Sequence, residues 1–170
     1  MDAEERRFLQ QEVGLTRREV RLAARAEAYN WQELKREVTR VLRPARRLLE
    51  LGAGRGVFTG QILRKVLRPQ QTLTSLDLRV EALRELAERF PTRLTPLTGD
   101  ICHLPPSCRD FDLVVTHLTL HDLELDPDTS IDGVMAGIAA CLRPGGRLLL
   151  IDKVLDGVAP RSGEILMEQL

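Results

Sequence analysis

Apolar residues along this chain switch repeatedly between helical spacing and short continuous runs. Leu34, Val38, Val41 and Leu42 fall on one helical face, which ends before Pro44. Leu48, Leu49 and Leu51 form a short apolar run. Helical spacing returns with Val57, Phe58, Ile62, Leu63, Val66 and Leu67, and Pro69 stops it. Thr72 to Leu76 reads as a strand, and Val80 to Phe90 as an amphipathic helix burying Val80, Leu83, Leu86 and Ala87. Arg93 to Leu97 is a third strand, and Pro96 assigns it to a sheet edge. Phe111 to Val115 is a fourth. Asp126-Pro127-Asp128 opens a helix with Ile131, Val134, Met135, Ile138, Ala139 and Leu142 at helical spacing. Leu142 to Gly146 turns the chain into a fifth strand, Arg147 to Ile151. Strands alternating with helices predict an α/β fold with a parallel sheet.

Upstream, residues 2 to 13 read as a helix with Gly14 as its stop. Thr16 to Glu19 matches a capping box for a second helix, and Asn30 to Glu33 caps the third. Tyr29 and Trp31 are expected to pack these helices on the sheet. Arginine and glutamate alternate here, as on a solvated, salt-bridged face. Residues 161 to 170 begin one more helix.

The stretch Arg46 to Gly60, RRLLELGAGRGVFTG, links the first strand to its helix. Gly52, Gly54 and Gly56 each cost about 1 kcal/mol against alanine inside a helix. A tight turn instead needs their positive φ and the missing Cβ. Strand, glycine turn and helix open a nucleotide-binding α/β sheet. The dinucleotide fingerprint is G-x-G-x-x-G, which seats a pyrophosphate on the helix N-terminus. Here the spacing is G-x-G-x-G, and Glu50 stands just before it. A carboxylate there repels phosphate and suits an amino group or a sulfonium.

Composition excludes several classes. The chain has 170 residues, 43% hydrophobic and 29% charged, as one globular domain does. The 25 basic and 25 acidic residues balance, so a purely electrostatic nucleic-acid binder is not indicated. Cys102, Cys108 and Cys141 form no C-x-x-C pair and read as free thiols of a reducing, cytoplasmic compartment. No metal site has a recognisable spacing. No apolar stretch approaches the ~20 residues of a membrane span.

ELGAGRG resembles the first motif of the class I S-adenosylmethionine-dependent methyltransferases. Asp77 ends the second strand, where a nucleoside-binding unit holds ribose hydroxyls. Gly99-Asp100-Ile101 resembles the family's loop after the third strand, in which the aspartate accepts from the adenine amino group and the next residue packs on the ring. LRPGGRLLLID, from Leu142 to Asp152, is similar to the family's fifth-strand sequence. The resemblance covers about residues 30 to 155.

It implies a doubly wound, mostly parallel sheet of strand order 3-2-1-4-5 with N-terminal helices, and S-adenosyl-L-methionine as cofactor. The cofactor residues it implies are Glu50, Gly52, Ala53, Gly54, Asp77, Leu78, Asp100, Ile101 and Thr116. Residues 1–43 are then a helical extension, 44–155 the cofactor-binding core and 156–170 an incomplete helix. His117 and His121 are candidate general bases, since imidazole titrates near neutrality. The loop carrying them does not match the N/D-P-P-Y/F motif, which favours a small-molecule acceptor. The family's last two strands have no counterpart here. The fifth strand, expected to be buried on both faces, would then expose an edge for a second copy or a partner chain. An inactive cofactor-binding subunit is the alternative. An NAD(P)-dependent oxidoreductase is disfavoured by Glu50, by the glycine spacing and by the lack of a Tyr-x-x-x-Lys pair.

Overall fold

The computed structural model describes residues 34–120 and 129–152, together with Arg7, Gln10, Arg17 and Leu123. The expected caps at 16–19 and 30–33, Tyr29 and Trp31, the Asp126-Pro127-Asp128 helix start, His121 and the helix at 161–170 fall outside these residues, wholly or in large part.

The described elements are β1 (Arg47–Leu51), α1 (Val57–Lys65), β2 (Thr72–Asp77), α2 (Glu81–Arg89), β3 (Leu94–Thr98), β4 (Phe111–His117), α3 (Ile131–Cys141) and β5 (Leu142–Ile151). A helical stretch at 34–42 precedes them. The five strands form one sheet in the order β3-β2-β1-β4-β5, and all pairs are parallel. β1 is central, with Glu50 in register with Ser75 on one side and Val115 on the other. β3 lies at an edge, where Pro96 needs no ladder donor.

Side chains of a strand alternate between faces, so each strand feeds two cores. Leu48, Leu73, Leu113 and Val115 pack with Val38, Leu42, Phe58, Ile62 and Leu63 on one face. Leu49, Leu51, Leu76 and Val114 pack with Ile101, Val134, Ile138 and Cys141 on the other. Burying a leucine or isoleucine fully is worth about 1.5–3 kcal/mol, so these two layers dominate the fold's stability. Gln71 is also buried. Its Nε2 donates to the carbonyls of Leu42, at 2.8 Å, and Ala45, and its Oε1 accepts from Arg68 N–H at 2.7 Å. It ties the end of the 34–42 helix to the start of β2.

Three expectations need correction. β5 is longer than Arg147–Ile151: the 142–146 turn belongs to the strand as a bulge. Pairing passes from Phe111–Leu142 to Leu113–Arg147, and Gly145 has φ 76°. β5 is also not buried on both faces. Among the described residues it is the outer strand, and Leu150 is 49% exposed. Met135, expected on the buried side of α3, is 37% exposed, because Val134, Ile138 and Cys141 define that side. Ser130 caps α3, its Oγ accepting from Gly133 N–H at 3.2 Å.

Candidate functional site

In a parallel sheet the strands all end at one edge, and ligands of open α/β sheets bind in the crevice outside it. The expected cofactor residues converge there. β1 runs into the turn Gly52–Gly56, whose three glycines all have positive φ: 69° at Gly52, 52° at Gly54 and 77° at Gly56. Gly52 and Ala53 donate N–H bonds to Leu76 O at 2.9 and 3.2 Å, fastening the turn to the end of β2. Gly54 N–H donates to Asp77 Oδ2 at 2.7 Å, and Gly56 N–H to Ala53 O at 2.9 Å. Asp77 Oδ1 accepts from Arg79 N–H at 3.0 Å. A Cβ added to Gly54 would meet nothing within 4 Å, so the turn faces open space there.

Glu50 lies in the layer beneath the turn. It is 2% exposed, and its Oε2 accepts from Thr59 Oγ1 at 2.7 Å and Ser75 Oγ at 2.6 Å. Burial drives its pKa up from 4.5 to about 7. The Ser75 and Thr59 hydroxyls oppose that rise, and the nearby charge of Asp77 adds to it. Glu50 therefore faces the sheet–helix layer beneath the turn. Ser75 has a signal in the sequence, as a polar residue at an inward strand position. Thr59 shows only as a polar residue on the buried face of α1.

Asp100 follows β3. Its Oδ1 accepts from Cys102 N–H at 2.8 Å and its Oδ2 lies 3.1 Å from His103 Nδ1. The His103 contact, then the Cys102 N–H, hold its carboxyl below the ordinary range. Ile101 is buried in the core with Leu76, beneath the crevice. Leu78 is 69% exposed immediately after Asp77. Thr116 is fully buried near the end of β4, and its hydroxyl has no partner among the described residues. His117, the next residue, stacks on Phe58 with ring centroids 4.4 Å apart and planes 5° from parallel.

Two further residues at this edge were not among the expected site residues. Thr119 Oγ1 lies within 3.2–3.4 Å of the carbonyls of His117, Gly52 and Leu51, which share its single proton as alternative acceptors. Asp152 Oδ2 accepts from the N–H groups of Thr119 at 3.3 Å and Leu120 at 2.8 Å. These bonds hold a loop in which Leu118 has φ 53°, strained for a leucine. The available signal is for Asp152, which, like Asp77, is a carboxylate at a strand end and closes the LRPGGRLLLID stretch.

A family model described as "Methyltransferase domain" matches residues 48–146. Demethylspheroidene O-methyltransferase of Rhodobacter capsulatus is 28% identical over 151 residues, covering 89% of this chain and 36% of that protein. The tRNA U34 carboxymethyltransferase of Methylococcus capsulatus is 31% identical over 120 residues, covering 68% and 35%. The chain thus spans about a third of the length of these curated relatives. The solved CurJ carbon methyltransferase superposes with a TM-score of 0.57 at 28% identity, over 76% of this chain and 34% of that one. Among the described residues no helix is long and apolar enough to cross a membrane. By family match, sheet order and glycine turn, the chain belongs to the methyltransferase domain family, the class I S-adenosylmethionine-dependent methyltransferases with a Rossmann-like fold.

Proposed function

We propose that this chain binds S-adenosyl-L-methionine at the carboxyl edge of its sheet and passes the methyl group to a small-molecule acceptor. The observation that carries the cofactor reading is where the turn's N–H groups go. A pyrophosphate cradle needs them aimed at the ligand. Those of Gly52, Ala53, Gly54 and Gly56 are instead donated to Leu76 O, Asp77 Oδ2 and Ala53 O. The turn is left with a carboxylate below it and a carboxylate beside it, which suits a cation and opposes a phosphate.

Bound here, the cofactor supplies a methyl group on a sulfonium, already a good leaving group. The chain's own residues bind and align. Gly54 leaves room for the ligand's approach, and Asp77 keeps lone pairs for a ribose diol. Exposed Leu78 offers an apolar surface to the adenine ring, and Asp100 an acceptor to its amino group. Ile101 lines the floor below the ring, and Thr116 and His117 lie at the end of β4, toward the acceptor. Holding nucleophile, methyl carbon and sulfur in line can be worth an effective molarity of about 10⁵ M or more, and no covalent nucleophile is required. His117, with His121 as second candidate, is the base in this reading where the acceptor must lose a proton.

Residues 44–155 form the cofactor-binding core in this proposal, with 1–43 as a helical extension. The absence of an N/D-P-P-Y/F motif and the likeness to demethylspheroidene O-methyltransferase favour the small-molecule acceptor. Three free thiols favour a reducing cytoplasm. The outer edge of β5 is the proposed pairing surface for a second copy, which light scattering tests. A screen of small-molecule and RNA pools with radiolabelled methyl donor tests the function. Label in small molecules supports it, label only in RNA contradicts the acceptor class, and cofactor binding without transfer to any pool favours an inactive subunit.

A further inference from the structure

The balance of 25 basic and 25 acidic residues conceals a segregation of charge. The carboxyl edge of the sheet carries Glu50, Asp77, Asp100 and Asp152, against Arg55 and Arg79. The opposite edge, where the strands begin, carries exposed Arg43, Arg46 and Arg47 before and in β1, Arg109 before β4, and Arg143 and Arg147 in β5. The acids in these same segments are Asp110 and Asp112.

Asp112 is fully engaged. Its Oδ2 accepts the N–H groups of Arg46 at 2.5 Å and Arg47 at 2.8 Å, and its Oδ1 pairs with Arg143 Nε at 2.6 Å. Other guanidinium groups are held by neutral carbonyls. Arg47 Nη2 donates to Arg109 O at 3.5 Å, Arg109 Nε to Pro106 O at 3.0 Å, and Arg147 Nη2 to Val41 O at 3.4 Å. Arg47 also lies 5.3 Å from the centre of the Phe111 ring. A carbonyl or a ring fixes a guanidinium in place without cancelling its charge. β1, β4 and β5 are adjacent, so these cations spread over two strand spacings, roughly 10 Å. Duplex nucleic acid presents about six phosphate charges over that length.

We propose that this arginine-lined edge is a docking surface for a nucleic-acid phosphate backbone, bound without regard to sequence. A membrane surface is the other large polyanion, but stable interfacial binding usually adds apolar side chains that insert to the attraction of basic groups. The exposed large hydrophobic residues described are Leu78, Leu118, Met135 and Leu150, and none lies among these arginines. The site is independent of the methyl-transfer reading, being roughly 20 Å away along strands of five to seven residues.

The test is fluorescence anisotropy of a labelled 20-base-pair RNA duplex titrated with the chain across a range of salt. Binding should weaken linearly in log–log form, with a slope of about −0.9 for each phosphate neutralised on a B-DNA scale. R46Q/R147Q and, separately, R43Q/R109Q should each lower affinity at least tenfold and flatten the slope. Adenosyl-cofactor titration and circular dichroism on the same samples should match the parent. The proposal is overturned by no duplex binding at low salt, by variants that bind like the parent, or by sedimentation with phosphatidylglycerol vesicles in the absence of duplex binding.

Discussion

Thr119 lies directly against Gly52: a Cβ on Gly52 would sit 2.1 Å from Thr119 Cγ2 and 2.5 Å from its Oγ1. Gly52 also has φ 69°, a conformation that costs other residues of order 1–3 kcal/mol. The loop after β4 therefore presses on the glycine turn, and Asp152 at the end of β5 holds that loop by two N–H bonds. The carboxyl end of the sheet is one packed unit across β1, β4 and β5.

Gly52→Ala should therefore destabilise the fold by about 2–4 kcal/mol, by clash and backbone strain together. Thr119→Ala opens part of that space, and the double variant should lose less stability than the two single losses added. Urea denaturation of all four proteins measures this coupling. Simple additivity would show that the two residues do not press on each other.

Glu50 links stability to pH. Folding raises its pKa from 4.5 to about 7, so the native state favours the protonated carboxyl. Its contribution is complete below pH 4.5 and is lost as pH climbs through 7. The loss approaches about 3 kcal/mol above that range, since a tenfold change in proton affinity is worth about 1.4 kcal/mol. Glu50→Gln keeps an oxygen that can accept from Thr59 and Ser75, and carries no charge. Relative to this variant, the parent should become progressively less stable between pH 5 and 8, read from urea midpoints. Parallel curves would place the Glu50 pKa elsewhere.

The same carboxyl should make cofactor binding pH-dependent. A bound cation favours ionised Glu50, so binding near pH 6 should release close to one proton, and almost none at pH 8.5. Calorimetry in buffers of different ionisation enthalpy counts that proton. Glu50→Gln should abolish the difference and weaken binding, and equal proton release by parent and variant would remove Glu50 from the account.

The order of strands and helices was legible because glycine and proline punctuate clear changes of period, as at Gly52–Gly56, Pro69 and Pro91. The edge position of β3 followed from Pro96. The bulge in β5 was not legible: Pro144-Gly145-Gly146 has the composition of a turn, and only pairing with Phe111 and Leu113 makes it strand. Leu148 to Ile151 is apolar throughout, but a run of that kind does not reveal that β5 is the last strand of the sheet among the described residues. At the site, Glu50, Asp77 and Asp100 stand at strand ends and could be named from sequence. Thr59, which bonds Glu50, and Thr119, which lies against Gly52, could not, since each is an ordinary polar residue until the fold places it there.

Asp77 tests the ribose assignment. Asp77→Asn replaces one of two acceptor oxygens with a donor, and should cost about 1.5–3 kcal/mol of cofactor affinity, the range for bonds to a charged group. An unchanged dissociation constant would move the diol contact to another residue. Gln71→Ala is the control at the far end of β2. It strands the carbonyls of Leu42 and Ala45, and should lower stability by about 2–3 kcal/mol with cofactor affinity intact below the melting range.

The central claim is that this glycine turn selects a sulfonium nucleoside over a pyrophosphate dinucleotide. Calorimetric titration of the chain with S-adenosylmethionine, S-adenosylhomocysteine, NAD and NADP tests it most directly, with Gly54→Val alongside. The predicted result is micromolar-range binding of the adenosyl compounds, none of the nicotinamide cofactors, and loss of binding in a Gly54→Val protein that remains folded. Binding of NAD or NADP with no response to either adenosyl compound would contradict it.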